Sequence, residues 1–297
     1  MRALRSSSKP AANPSSYPPL SRKITNYVML SLTGLCTVLV VSVLLTILVY
    51  LLWNGMHALN LNFFTKLPAP VGQSGGGVSN AIVGTLKLLA LASAIGVPIG
   101  LLGGIYLSEF AGGWSAFTVR YTTDLLNGVP SVVMGIFVYT LVVLPMHHFS
   151  TLAGGIALGI MMIPIALRST EDFLRAVPRS LREGGLALGA SKSETIFTIV
   201  IPAAIYGIIT GIMLDIARVA GETAPLLFTA FGNQFKSPGW LQPTASLPVV
   251  IYNYAISPYD DWHQQAWAAG FVLLSGLLVV SIIARVILAR GKKLSHG

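Results

Sequence analysis

Three ionisable residues stand where a run of apolar sequence ought to exclude them: Asp215, Arg218 and Glu222, in LDIARVAGETAPLLFTA. Spacings of three and four place them on one face of a helix that starts near Pro202. A charge at the centre of a bilayer costs about 2.5–3.5 kcal/mol on insertion scales, so such side chains face a pore or one another. At 1.5 Å per residue Arg218 lies roughly 24 Å beyond Pro202, along a hydrocarbon core about 30 Å thick. The group therefore belongs to the outer part of the span and not to its midplane. Two readings stay open. An ion-paired cluster would fix helix packing; alternatively Arg218 contacts an anion or forms a gate, with Glu222 its intramolecular partner. One base and two acids sum to −1, so Arg218 must shed a partner before it holds an anion.

A second concentration of charge is the stretch RSTEDFLRAVPRSLREGGLALGASKSETIFTIVIP, Arg168 to Pro202. Pro178 suits the first turn of a helix, where a missing N–H costs nothing. That helix should run to about Leu188 and stop at Gly189, which takes a left-handed conformation without a Cβ penalty. Ser191-Lys192-Ser193-Glu194 has the S-x-x-E form of a capping box, so a second helix starts at once. Gly184 and Gly185 inside the first helix cost roughly 1 kcal/mol each against alanine. A helix accepts that where another segment must come close. The expected product is a helix, a glycine corner and a second helix that Pro202 leads into the next apolar run.

Other chemistries find little support. Gly75–Gly77 lacks the Lys-Ser/Thr and strand context of a phosphate loop and reads as a flexible linker, and no G-x-x-x-x-G-K-S/T run exists anywhere, so the chain does not bind ATP in that manner. His147-His148 has no convergent ligands nearby and reads as a solvated turn. One cysteine, Cys36, excludes an internal disulfide and reads as a packing residue. No cofactor is implied.

The elements that must position these groups are membrane spans. Hydrophobic residues make up 54% of the 297, charged residues only 10%, which places the chain among integral membrane proteins. Six apolar runs are expected as helices: Val28–Leu52, Ile82–Tyr106, Val129–Leu144, Thr151–Leu167, Pro202 to about Glu222, and Ala266–Ile283. Gly96, Gly100 and Gly104 give the second a small face, as Gly155 and Gly159 do the fourth, and Pro98 predicts a kink. Glu109 to Asp124 reads as a short inner connection. Trp53 and His57 read as interfacial anchors, and Lys87 as a snorkelling residue at an outer end. Residues 231–264, rich in aromatics and proline, form the largest outer loop and read either as a partner's docking site or as a cover on the pore. Residues 1–27 read as a disordered basic tail, residues 28–290 as the membrane domain and residues 291–297 as a second tail. The net charge of +9 resides wholly in Arg2, Arg5, Lys9, Arg22 and Lys23 and in Arg285, Arg290, Lys292 and Lys293. Basic ends flanking spans put both termini and the Arg168–Pro202 stretch in the cytoplasm and leave a nucleic-acid partner unsupported.

Glu183-Gly184-Gly185, then Gly189, then Ile199-Val200-Ile201-Pro202 resembles the E-A-A, three residues, G, nine residues, I-x-L-P loop of bacterial ABC importer permeases. Two alanines are glycines here and the leucine is Ile201. Within that family Arg218–Ala230, GIYLSEFA around Glu109 and SLPVVIYNYA after Ala245 are similar to the permease subunits of phosphate importers. The resemblance implies a type I importer fold in a bacterial inner membrane. It implies Glu183, Gly184, Gly185, Gly189 and Pro202 as the coupling loop, and Asp215, Arg218 and Glu222 as pathway or gate. It implies as partners a sister permease subunit, two ATP-binding subunits and an extracytoplasmic phosphate-binding protein. A permease for molybdate, sulfate or phosphonate, a proton-coupled carrier using Asp215 and Glu222, and a non-transporting scaffold remain alternatives on the residues alone.

Overall fold

A computed structural model describes residues 20–294 apart from 72 and 74. The expected disorder of residues 1–19 lies outside it. Helix α1 spans Leu20–His57, so residues 20–27 are helix and not tail. Pro18 and Pro19 are the last prolines of that region, and nothing after them opposes helix.

The chain divides into two units, residues 1–50 and 51–297. In the first, α1 is apolar and exposed almost throughout up to Tyr50. Its hydroxyls bond back to its own carbonyls: Thr25 to Ser21 at 2.9 Å, Thr33 to Met29 and Thr37 to Thr33 at 2.8 Å. Such internal satisfaction is what a bilayer demands of polar groups. Cys36 is exposed on this helix and not packed, because the unit offers it no neighbour.

The second unit is built on α3 (Ser79–Ile105, continued by a π-helical turn Tyr106–Phe110) and α7 (Thr151–Arg175). Between α1 and α3 lies α2 (Leu61–Thr65); between α3 and α7 lie α4 (Gly113–Gly128), α5 (Ser131–Val138) and α6 (Leu144–Met146). The expected small face of α3 is met by α7. A Cβ on Gly96 would stand 2.5 Å from that of Met162, one on Gly100 2.5 Å from Ala166 and one on Gly104 2.5 Å from Thr170. Gly159 returns the fit against Ile95. These pairs rise together along both helices, so α3 and α7 are parallel, and the intervening segment must recross the layer. Five helices are long and apolar enough to span. Gly113–Gly128 with Ser131–Met146, bent by 101°, is a sixth when taken as one broken crossing, and the parallel seam requires that.

The expected short connection Glu109–Asp124 is therefore largely helix. α4 hides Ala116 and Thr123 and exposes Trp114, Phe117, Tyr121 and Leu125.

After α7 come α8 (Arg179–Ala187), α9 (Lys192–Thr195), a π-helical turn Ile196–Val200 and α10 (Ile201–Ala220). The span runs unbroken from Lys192 to Ala220, so Pro202 lies inside it and does not open it. The wider π turn just before Pro202 makes room for its ring and missing N–H. α10 packs antiparallel on α7, with Gly207 against Phe173 and Gly211 against Ser169.

Residues 224–255 fold back as α11 (Ala224–Thr229) and α12 (Leu247–Ala255) before α13 (Asp260–Leu294). They cap the start of α7 through Leu152 N–H to Trp240 O at 2.8 Å and Thr151 N–H to Gln242 O at 2.9 Å. Thr85 Oγ1 accepts from Leu247 N–H at 2.8 Å, and Lys87 donates to Ser237 O at 2.6 Å. Most of the expected outer loop 231–264 is thus folded onto the helix ends. The Gly75–Gly77 run is likewise not a free linker. Gly75 and Gly76 have positive φ, Gln265 donates to Gly75 O at 2.8 Å, and a Cβ on Gly77 would meet Phe63 O at 2.6 Å.

The seam predicts a specific intolerance. Gly100→Ala should destabilise the detergent-solubilised protein by about 1–3 kcal/mol through overpacking, read as a lowered melting temperature. Gly276→Ala, where no atom lies within 4 Å, should leave it unchanged or slightly raised, alanine being the better helix former. Equal melting of the two variants would refute the close-packed seam.

Candidate functional site: a charged corner and the far end of α10

The corner between α8 and α9 forms as its local chemistry requires. Gly189 has φ +87°. Gly189 N–H donates to Leu186 O at 3.0 Å and Ala190 N–H to Gly185 O at 3.2 Å, the paired bonds of a Schellman stop. Ser191 Oγ accepts from Glu194 N–H at 3.2 Å while Glu194 Oε2 accepts from Ser191 N–H at 2.7 Å, closing the capping box. The two glycines inside α8 differ. Gly185 is buried, where a Cβ would stand 2.7 Å from Ile199 and 3.0 Å from Thr195; Gly184 faces open space. Glu183 is exposed beside it. Leu181, Leu186 and Leu188 are also exposed, Leu188 to 90%, which is extreme for a leucine on a polar corner. Pro202, on the expected list with these, lies exposed within the following span and away from the corner.

Beneath the corner sits an ion-pair layer. Glu171, 1% exposed, accepts from Arg120 Nε at 2.8 Å, and its carboxylate also meets Arg175 at 3.1 Å and Arg168 at 3.3 Å. Arg168 in turn holds Asp124 of α4. Glu109, at the end of α3, pairs with Arg182 of α8, whose second nitrogen donates to Leu174 O at 2.6 Å. A buried charge needs such pairing. Arg120 and the hub role of Glu171 escape sequence reasoning because the partners are 51 residues apart. The available signal was acids and bases recurring on three segments between apolar runs.

At the other end of α10 the three expected residues separate. Asp215 is 1% exposed, and neither carboxylate oxygen has a hydrogen-bond partner among the described residues. Arg218 is exposed in the last turn of α10. Glu222 lies beyond the helix, after the Gly221 cap, and so cannot share its face. No ion pair joins Arg218 to Glu222 or to Asp215. The expected intramolecular partnership does not form, because the helix ends at Ala220 before the i, i+4 geometry is complete. Among the described residues no group of three potential ligands could hold a metal ion. His147, at φ +58°, makes the turn after α6.

A layer of helices that crosses the membrane six times with the broken pair counted as one, with an exposed polar corner between two crossings and an exposed arginine at the far end of the second, defines a polytopic membrane protein. The chain matches, over residues 96–293, the family described as binding-protein-dependent transport system inner membrane component. The phosphate transport system permease protein PstA of Yersinia pestis is 46% identical over 240 residues, 80% of this chain and 81% of that protein. That of Haemophilus influenzae is 43% identical over 267 residues, 89% and 94% of the two chains. A probable PstA of Methanocaldococcus jannaschii is 35% identical over 265 residues, again 89% and 94%. Among solved structures an inward-facing MetNI methionine ABC transporter superposes with a TM-score of 0.52 at 17% identity, covering 72% of this chain and 92% of that one. The chain belongs to the family of binding-protein-dependent transport system inner membrane components, as a multi-pass membrane subunit and not an enzyme in its own right.

Glu171 generates a test of the ion-pair layer. Glu171→Gln leaves three arginines without their shared carboxylate and should cost about 3–5 kcal/mol, the usual cost of breaking a buried pair. Thermal unfolding in detergent reads it. A melting temperature equal to that of the parent would show that the layer bears no weight.

Proposed function

We propose that the chain is a permease subunit of an ATP-driven phosphate importer, lining part of the path with a sister permease. The observation that carries the substrate is the identity with three PstA relatives across 80–89% of this chain. Two ATP-binding subunits on the cytoplasmic side and an extracytoplasmic phosphate-binding protein complete the assembly. The charged corner is assigned to the cytoplasm, together with both termini. This fits the basic residues that flank the first and last spans.

In this reading α8 is the coupling helix. Glu183 and the exposed Leu181, Leu186 and Leu188 seat in a cleft of the ATP-binding subunit; Gly184 lets the partner's backbone come close, and Gly185 lets α8 lie on α10. ATP binding draws the two ATP-binding subunits together and moves α8 as a rigid lever, opening the path outward. Arg218 stands at the outer mouth. Its planar fork suits two phosphate oxygens at once, and no acidic side chain among the described residues occupies it. Glu222, just past the helix end, acts in the gate. Asp215, buried on the inner side of α10, lies behind the path.

Labelled phosphate uptake, in cells lacking this chain and in cells given it back, tests the substrate. Restored uptake that molybdate, sulfate and phosphonate do not compete away is expected; competition by one of them would transfer the assignment to that oxyanion. Arg218→Gln should lower uptake roughly 10- to 100-fold, the worth of a charge-assisted hydrogen bond. Arg218→Lys should fall between, and parental uptake by Arg218→Gln would remove Arg218 from the path. Gly189→Val forces a β-branched residue into the left-handed region at about 1–3 kcal/mol. It should abolish uptake while ATP hydrolysis and membrane insertion persist. Normal uptake would refute the coupling role of the corner.

A further inference from the structure

We propose that Glu109 and Arg182 form the joint through which α8 drives the membrane spans, with Glu109 the positioning residue that sets it; this rests on the reading of α8 as the lever facing the ATP-binding subunit. Glu109 sits in the π-helical turn that ends α3, its side chain 5% exposed. Both oxygens are engaged: Oε1 accepts from Ser108 Oγ at 2.8 Å, and Oε2 accepts from Arg182 Nη1. The other nitrogen of the same guanidinium donates to Leu174 O in the last turn of α7. One side chain of α8 thus grips the ends of two spans. A third is held on the same buried face, where Gly185 meets Thr195 and Ile199 at the start of the α10 span. Lys192, from that same start, places its ammonium 4.9 Å over the ring of Phe110, the neighbour of Glu109.

The chemistry of the contact separates it from ordinary packing. An apolar contact resists compression but slides and parts under tension. A guanidinium fixed at two nitrogens resists pull and rotation as well, because each hydrogen bond is charge-assisted and directional. Stability alone does not account for the pair, since apolar residues of similar volume replace buried ion pairs at little or no cost. A joint that must transmit movement in both directions does account for it.

The test uses the whole importer: this chain with its sister permease and ATP-binding subunits, reconstituted in lipid vesicles with the binding protein and labelled phosphate. The readout is ATP hydrolysed per phosphate taken up, alongside copurification of the ATP-binding subunits. Glu109→Gln and Arg182→Gln should each raise that ratio roughly tenfold with assembly intact. The double variant should be no worse than Arg182→Gln alone, because once Arg182 is gone Glu109 has no guanidinium left to lose. Arg182→Lys, able to hold one partner but not both, should fall between. An unchanged ratio in Glu109→Gln, a ratio that multiplies in the double variant, or uptake and assembly falling together at constant ratio would each overturn the joint. Should Glu109→Gln fail to assemble, Glu109→Asp keeps the charge on a shorter stem and is read in its place. There a raised ratio supports the joint and a constant one overturns it. A parent complex that takes up no phosphate overturns the functional reading beneath; a coupled parent with a coupled Glu109→Gln overturns the joint alone.

Discussion

The parallel contact between α3 and α7 is the constraint from which the rest of the architecture follows. Gly96, Gly100 and Gly104 admit Met162, Ala166 and Thr170 so closely that the two helices can slide or tilt very little. In a bilayer there is no hydrophobic gain in bringing helices together, so close van der Waals fit of this kind is what holds them. Parallel neighbours also dictate connectivity, because the chain leaving α3 must return across the layer before α7 can start. The bent segment Gly113–Met146 is that return. Its 101° bend lays α4 across the charged end, where Arg120 and Asp124 reach the acids and bases of α7.

The same constraint sorts the charges. Once α3 and α7 are locked along their middles, ionisable groups find room only at the two ends. One end collects Glu109, Arg120, Asp124, Glu171, Arg168, Arg175 and Arg182 into mutual pairs. Four arginines there against three acids leave an excess of one positive charge, a balance that keeps the layer from repelling itself. At the other end polar side chains turn inward onto the cover. Asn80 donates to Asn233 O at 2.5 Å, and Lys87 to Ser237 O, so the cover is tied down by hydrogen bonds and not by ion pairs. Arg218 is left out of both systems, which is the physical reason to single it out.

What could be read directly from sequence was whatever a few neighbouring residues decide among themselves. The corner is the clearest case: Pro178, Gly189 and the Ser191–Glu194 box specify a stop and a start within seventeen residues, and the bonds of the stop and of the box form as expected. The glycine stripes of α3 and α7 were also legible, though only the structure shows that each is the other's partner. Elements decided by distant contacts were not legible. α4 looked like a connection because its burial depends on Glu171, far along the chain. Pro202 looked like a boundary because the preceding π turn, which accommodates it, leaves no signature in composition. The run at Gly75 looked flexible because glycine tolerates freedom and close packing equally, and only the neighbours Phe63, Ala69 and Gln265 decide between them. Asp215, Arg218 and Glu222 were placed on one face by spacing alone, and the helix end at Ala220 takes Glu222 off that face.

The two ends are joined by few continuous elements, and α10 is the most direct. With α9 and the π-helical turn that lead into it, its span from Lys192 to Ala220 runs 29 residues, about 43 Å at 1.5 Å per residue. At its first turns Thr195 and Ile199 bear on α8; at its last stands Arg218. Along the way Gly207 and Gly211 seat it against Phe173 and Ser169 of α7, so rotation about its axis is resisted where the glycines fit. Rigid helices with discrete packing arrangements carry displacement over such distances. Asp215 lies on the buried side of the same helix, one turn from Arg218, with no hydrogen-bond partner for its carboxylate among the described residues. An unpaired buried carboxylate is costly in any fixed arrangement. Asp215 thus costs α10 stability at the end where Gly207 and Gly211 hold it against α7.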